Sequence, residues 1–128
     1  MEQLSIDDQM AIAQTLSKYG ILLDTQRVEA WSDLFEPDGV VEIDGRAPIS
    51  TEIDRRALVT DSPRGAHIST PPVISTGASS SEATSEQTFL FFNIGSGKIR
   101  TGWYEDELVK RGTRWTIRRR VIHFFASN

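Results

Sequence analysis

Cysteine is absent from this 128-residue sequence, and its absence removes several kinds of chemistry at once. Disulfide bonds, thiolate metal sites and a cysteine nucleophile are all excluded. No apolar run approaches the roughly 18 residues that a bilayer-spanning helix needs, so no membrane association is expected. The opening residues Met-Glu-Gln-Leu-Ser lack the basic segment and apolar run of a signal peptide, which predicts a cytoplasmic protein.

Several motifs of nucleotide-binding proteins and hydrolases are also missing. The sequence contains no GxGxxG, P-loop, HExxH or GxSxG, so nucleotide binding and a nucleophilic serine have no support. A net charge of −4 argues against a nucleic-acid partner. The one basic run is Arg118-Arg119-Arg120, and strand alternation predicts Arg118 and Arg120 toward solvent with Arg119 on the other face.

The first half of the chain carries helix signals. Ser5, followed by acidic residues, predicts the N-cap of an amphipathic helix that runs to about Leu23. Shorter helices are predicted over residues 27–35 and 52–59, the second of them capped by Thr51. Between them, Pro37-Asp38-Gly39 ends a helix and a strand begins at residue 40.

The second half of the chain is typical of β structure. Four extended segments are predicted, over residues 66–75, 82–93, 98–110 and 114–125, and the last three form an antiparallel meander. Pro71-Pro72 should bend or interrupt the first of them, because proline cannot donate to a strand ladder. Helices first and strands after indicate an α+β fold, and the length fits a single domain over residues 1–128.

Five segments of the sequence match a known family. They are Tyr19-Gly-Ile-Leu-Leu-Asp24, Trp31-Ser-Asp-Leu-Phe35, Asp38-Gly39, Gly102-Trp-Tyr104-Glu-Asp106 and Trp115-Thr-Ile-Arg. Together they resemble the SnoaL-like branch of the nuclear-transport-factor-2-like superfamily, which includes scytalone dehydratase, bile acid 7α-dehydratase, ketosteroid isomerase and polyketide cyclases. The resemblance covers most of the chain. It implies a cone-shaped barrel of N-terminal helices packed into a curved, mainly antiparallel sheet.

The resemblance also implies a set of catalytic residues. His67 falls where the family's catalytic histidine commonly lies, at the start of the strand after the third helix. It would be the general base and acid, with Asp24 as its orienting carboxylate and Tyr19 as the hydrogen-bond donor to a substrate oxygen. Structural roles remain open: Asp24 could cap the second helix, and Tyr19 could be a core aromatic with its hydroxyl bonded to backbone. His123, the other histidine, is expected to be structural or interfacial.

Two departures separate this chain from individual family members. Scytalone dehydratase has a second catalytic histidine on a later strand, and the corresponding candidates here are Ala83, Ser85 and Gln87. Ketosteroid isomerase has an aspartate base just after its second helix, where this chain has Ile43. Neither of those two reactions is therefore expected in its original form.

Aromatic residues of the sheet could line a ligand cavity. Trp103, Phe89 and Trp115 are the candidates for substrate contact, with core packing as the alternative for each. The resulting prediction is a lyase or isomerase without cofactor or metal, acting on a small hydrophobic hydroxy-ketone of steroid-like or polyketide-like character. The alternative is a non-catalytic module that binds a small hydrophobic molecule or serves as an assembly partner. A homodimer or homotrimer is expected from the family.

Overall fold

The structure is a computed structural model that describes residues 4–125. Its helices are α1 (Ile6–Asp24), α2 (Val28–Ser32) and α3 (Glu52–Asp61). Its strands are β1 (Phe35–Ile43), β2 (Gly65–Ser69), β3 (Val73–Thr76), β4 (Glu82–Asn93), β5 (Ile99–Arg111) and β6 (Arg114–Phe124). The long helix at the start and the long strands at the end confirm the predicted α+β class.

Helix α1 begins and ends as its sequence predicts. The Ser5 hydroxyl accepts a hydrogen bond from the Asp8 backbone N–H at 3.0 Å, which is N-cap geometry. Ile12, Leu16 and Tyr19 form its buried stripe and face the sheet. Among residues 4–125, no helix is both long enough and apolar enough to cross a bilayer.

The two short helices differ in how well the sequence predicts them. Thr51 caps α3 by accepting a hydrogen bond from the Asp54 N–H at 3.2 Å, as expected. Helix α2 is shorter than the predicted range, because the chain joins the sheet before residue 35. The Leu34 carbonyl already accepts the Ile117 N–H at 2.8 Å, and tertiary pairing therefore ends the helix early.

The strands form one mainly antiparallel sheet in the order β1-β6-β5-β4-β2, with β3 also paired to β4. Only β1 and β6 run parallel. Strands β2 and β3 lie end to end along β4, separated at Pro71-Pro72, so the predicted proline interruption is confirmed. The curved sheet holds the helices on its concave side but is not closed, which corrects the expected barrel to an open cone.

A β-bulge in β6 reverses the predicted orientations of Arg119 and Arg120, while Arg118 faces solvent as predicted. Glu107 of β5 pairs with Arg119 and Leu108 pairs with Ile117, so Arg118 is an extra residue without its own partner. As a result Arg120 points into the core and has 0% exposure. Arg118 and Arg119 keep 44% and 43% of their side chains exposed. The prediction that Arg120 faces solvent is wrong because simple alternation fails at the bulge.

Candidate active site

The last turn of α1 meets the beginning of β2 at an aspartate–histidine pair. His67 Nδ1 lies 2.5 Å from Asp24 Oδ1, and the His67 backbone N–H donates to Asp24 Oδ2 at 2.7 Å. Each side chain is only 15% exposed. The two contacts fix both the backbone and the ring of His67 to one carboxylate. They also assign the ring proton to Nδ1, because a carboxylate can only accept, and this leaves Nε2 as the acceptor nitrogen.

Small and aromatic neighbours hold this pair in place. A Cβ added at Gly20 would lie 3.4 Å from the His67 Cβ, so glycine lets α1 approach β2 closely. The Phe91 ring lies 4.6 Å from the imidazole, centroid to centroid. Asp24 does not cap α2, since the N-cap of that helix is Arg27 and no side chain caps it. The capping alternative for Asp24 therefore does not describe this fold.

A cavity of about 190 Å³ opens beside His67, between the helices and the concave face of the sheet. Its apolar wall includes Leu23, Trp31, Phe89, Phe91, Ile122 and Phe124. Its polar groups are Tyr19, Tyr104 and His67 within, together with Arg46, Arg100 and Ser62. Such a combination of an apolar wall and a few polar groups is typical of a small-molecule site.

Tyr19 contributes a buried phenol to this cavity. It is 4% exposed, and its ring lies 5.6 Å from that of Trp31 and 5.7 Å from that of Tyr104. Burial raises the pKa of the Tyr19 hydroxyl above its usual value, so it stays protonated at neutral pH. No backbone carbonyl of residues 4–125 accepts a hydrogen bond from this hydroxyl. It is therefore available to donate to a ligand oxygen.

An ion pair beneath the two tyrosines is the part of the site that the sequence reasoning missed. Arg120 donates to Asp106 through Nε at 2.7 Å and through Nη2 at 2.9 Å, and both side chains are fully buried. The guanidinium lies 3.7 Å from the Tyr104 ring centroid and 4.2 Å from that of Tyr19. Burial alone would lower the Arg120 pKa, but Asp106 raises it overall, so the group stays cationic.

The pKa of Tyr104 is shifted by the same buried surroundings. Burial raises the pKa of the Tyr104 hydroxyl, and the nearby Arg120 charge acts in the opposite direction. The cavity thus holds two neutral phenols with a fixed positive charge behind their rings. Neutral phenols can donate hydrogen bonds to an oxygen of a bound ligand.

Comparison of the sequence with protein families identifies the family of this chain. The sequence model of the SnoaL-like domain matches residues 5–121. The chain belongs to the SnoaL-like domain family. No curated protein matches the chain in sequence.

Solved structures agree with this family at the level of the fold. A nuclear-transport-factor-2-like protein with a cystatin-like fold from Novosphingobium aromaticivorans superposes with a TM-score of 0.84 at 21% identity, covering 96% of this chain and 85% of its own. A provisionally named scytalone dehydratase from the same organism gives 0.78 at 19% identity, covering 91% and 83%. A hexachlorocyclohexane dehydrochlorinase, LinA type 2, gives 0.78 at 13% identity, covering 91% and 84%.

The SnoaL-like fold places the other candidate residues in three different locations. Phe89 lies in the cavity wall and stacks on Tyr104, with ring centroids 4.3 Å apart. Trp103 lies on the outer face of β5, stacked on His123 at 4.5 Å, because alternation sends it opposite to Tyr104. Trp115 is buried under the start of α1 and donates its indole N–H to Asp8 at 3.0 Å. Trp103 and Trp115 therefore do not line this cavity, and the buried Trp115 fits the core-packing alternative.

The positions where this chain departs from its relatives are also on the concave side. Ser85 and Gln87 belong to the buried polar network, bonded to Asp106 at 3.1 Å and to Arg120 at 3.0 Å. Ile43 lies in the cavity wall. His67 is thus the one histidine lining the cavity, and the lining residues include no carboxylate. Within residues 4–125, no three His, Asp or Glu side chains gather to form a metal site.

Proposed function

We infer that the protein is a cofactor-independent lyase that eliminates water from a small cyclic hydroxy-ketone. The observation that carries this proposal is that His67 and Tyr19 line one cavity while Asp24 holds the His67 ring from behind. His67 is oriented by Asp24, and Tyr19 lies buried in the same wall with no backbone acceptor. A base, its orienting group and an oxyanion donor are the parts that such an elimination requires.

His67 performs the proton transfers in this proposal. With Nδ1–H held by Asp24, the Nε2 lone pair takes a proton from the carbon beside the ketone. The electron pair of that C–H bond forms an enolate, whose oxygen accepts hydrogen bonds from Tyr19 and Tyr104. The enolate then expels the hydroxyl group on the next carbon. The imidazolium returns its proton to that hydroxyl, so an unsaturated ketone and water leave together.

Arg120 stabilises the enolate stage from behind the tyrosines. Its charge is fixed by Asp106 and cannot move into the cavity, since both side chains have no exposed surface. A preorganised charge of this kind needs no reorganisation as the enolate forms. The guanidinium lies against the rings of both phenols, 3.7 Å from the Tyr104 centroid and 4.2 Å from that of Tyr19.

The apolar residue Ile43 in the cavity wall favours elimination over isomerisation. Ile43 places an apolar side chain where a second, carboxylate base would be needed. The names of two structural neighbours, a scytalone dehydratase and a dehydrochlorinase, both describe eliminations. Those likenesses concern the fold, and they support elimination here only alongside the residues of this cavity.

The volume of the cavity indicates the size of the group that it can enclose. A buried apolar cavity of about 150 Å³ is enough to hold benzene. The 190 Å³ cavity of this protein, which is open at its rim, therefore encloses about one substituted ring. We propose a single-ring substrate in place of the steroid-like molecule suggested by the family resemblance.

Turnover of a substrate panel tests this proposal. Single-ring and fused-ring hydroxy-ketones with the hydroxyl on the second carbon from the carbonyl are incubated with the protein, and water loss is followed by mass spectrometry. We expect conversion of single-ring compounds by the wild type and none by His67→Ala. Tight binding without conversion of any panel member would support the binding-module alternative instead.

A further inference from the structure

Two arginines at the rim of the cavity make no side-chain hydrogen bond or ion pair within residues 4–125. Most arginines of residues 4–125 bond to a carboxylate, an amide or a backbone carbonyl. The exceptions in that range are Arg27, Arg46 and Arg100, whose side chains make no hydrogen bond or ion pair. Two of these three line the same cavity.

The fold brings Arg46 and Arg100 to the same end of the sheet. Arg46 lies in the turn that follows β1, where its N–H donates to the Ile43 carbonyl at 2.9 Å. Arg100 lies near the beginning of β5, next to the end of β6. Its guanidinium rests 3.9 Å from the ring centroid of Phe124, which is itself in the cavity wall. Both arginines are exposed, so they form the rim while the tyrosines form the interior.

The permanently charged residues that line this cavity are both cationic. They are Arg46 and Arg100, and the lining includes no aspartate or glutamate, although the whole chain has a net charge of −4. Asp44, which follows β1, accepts the Phe124 backbone N–H at 2.9 Å and lies 3.3 Å from His123. Guanidinium groups bind carboxylates through charge-assisted hydrogen bonds, and Arg100 is already oriented by its contact with Phe124. An anionic group at the rim would meet two guanidinium groups that form no ion pair with any carboxylate of residues 4–125.

The geometry points to a substrate that carries a carboxylate on its ring or on a short side chain. The apolar ring would occupy the interior, the ketone would face Tyr19 and Tyr104, and the carboxylate would pair with Arg46 and Arg100. This inference deepens the proposed function, because it specifies the substrate class of the same cavity. It makes a separate prediction, since binding of the anion does not require His67 to act as a base.

Calorimetric titration with an acid and its neutral isostere tests the inference. The probes are trans-cinnamate and trans-cinnamamide, which share one ring and differ in charge. We expect the wild type to bind the acid about tenfold more tightly than the amide. In the double variant R46Q/R100Q this preference should fall below about twofold, with each single variant losing part of it. Added salt should weaken binding of the acid and leave the amide unchanged, because rim charges are screened.

A matched control and a competing anion complete the experiment. Arg27→Gln removes an exposed, unpaired arginine that lies outside the cavity lining, and it should keep the full preference. Equal binding of acid and amide by the wild type, or an unchanged preference in R46Q/R100Q, would overturn the inference. So would absence of binding by both probes, or displacement of cinnamate by equimolar inorganic phosphate, which would assign the rim to phosphate.

The outcome for His67→Ala distinguishes this inference from the proposed function. That variant should bind cinnamate as the wild type does, although it eliminates nothing. If the wild type shows the charge preference but converts no hydroxy-ketone, the elimination proposal fails and the carboxylate site stands. If it converts neutral hydroxy-ketones as fast as acidic ones, the carboxylate site fails and the elimination stands.

Discussion

The two histidines of this chain lie on opposite faces of the same sheet, each beside carboxylates, and of the two only His67 lines the cavity. His67 has one nitrogen fixed by Asp24 at 2.5 Å, and its ring lines a cavity. His123 has Asp44 3.3 Å from Nδ1 and Glu105 2.6 Å from Nε2, with those carboxylates 46% and 55% exposed. A carboxylate neighbour alone therefore does not distinguish the two rings. What distinguishes His67 is that it also lines the cavity, and our proposal that it is the base rests on this difference.

Replacing each histidine in turn tests this comparison, and it has the largest expected effect on activity. His67→Ala should reduce kcat/KM by between about 10² and 10⁴, the usual contribution of a positioned general base. His123→Ala should retain activity, because its ring stacks on Trp103 on the outer face. Steady-state kinetics of both variants, with circular dichroism to confirm folding, makes the measurement. Similar losses in the two variants would remove the distinction between the faces.

The ion pairs of the two faces should also differ in their contribution to stability, with the buried pair of the concave face contributing more. Arg120→Met leaves the Asp106 charge buried without its partner, which costs about 3–5 kcal/mol in unfolding free energy. Arg118→Gln removes an ion pair of the exposed face with Glu107 and should cost at most about 1 kcal/mol. Urea denaturation of both variants tests this. Equal midpoints would mean that Arg120 is not held as the structure describes.

Replacement of the carboxylate beside each histidine, Asp24 or Asp44, provides a third contrast, with a smaller expected effect on kcat. Asp24→Asn keeps the size of the side chain but weakens its hold on the His67 ring, and misorientation of this kind can cost about 10²-fold in kcat. Asp44→Asn, the equivalent change beside His123, should leave kcat unchanged. Single-turnover rates at saturating substrate isolate the chemical step. A raised KM with an unchanged kcat in Asp24→Asn would assign Asp24 to substrate binding instead.

The aromatic residues of the two faces give the smallest contrast. Phe89→Leu removes the stack on Tyr104 inside the cavity and should weaken cinnamate binding by about threefold to tenfold. Trp103→Leu alters the outer face and should leave that affinity unchanged. Calorimetry with both variants decides. Weaker binding in Trp103→Leu than in Phe89→Leu would place the ligand on the wrong face for this account.

The sequence predicts the features that depend on local chemistry. Ser5 and Thr51 act as caps because a hydroxyl before an acidic first turn satisfies free N–H groups, whatever lies beyond. Pro71-Pro72 separates β2 from β3 because proline cannot donate to a ladder. The sequence leads to the pairing of Asp24 with His67 only through family resemblance, since the 42 residues between them leave no local signal.

What the sequence does not predict depends on packing between distant segments. Arg120 was assigned to solvent because nothing in the residues around it marks the bulge at Arg118. Trp103 was a candidate for the cavity because a strand has two faces and its own residues do not say which one is concave. Likewise, the size of the cavity is set by side chains from α1, β4, β5 and β6 together.

Proton exchange at carbon tests the central claim, that His67 is the base of the cavity, most directly. A single-ring ketone without a hydroxyl group, such as cyclohexanone, is incubated with the protein in D₂O, and deuterium beside the carbonyl is followed by NMR. The account predicts exchange by the wild type and by His123→Ala, and loss of exchange in His67→Ala. Exchange that continues at the wild-type rate in His67→Ala would contradict it.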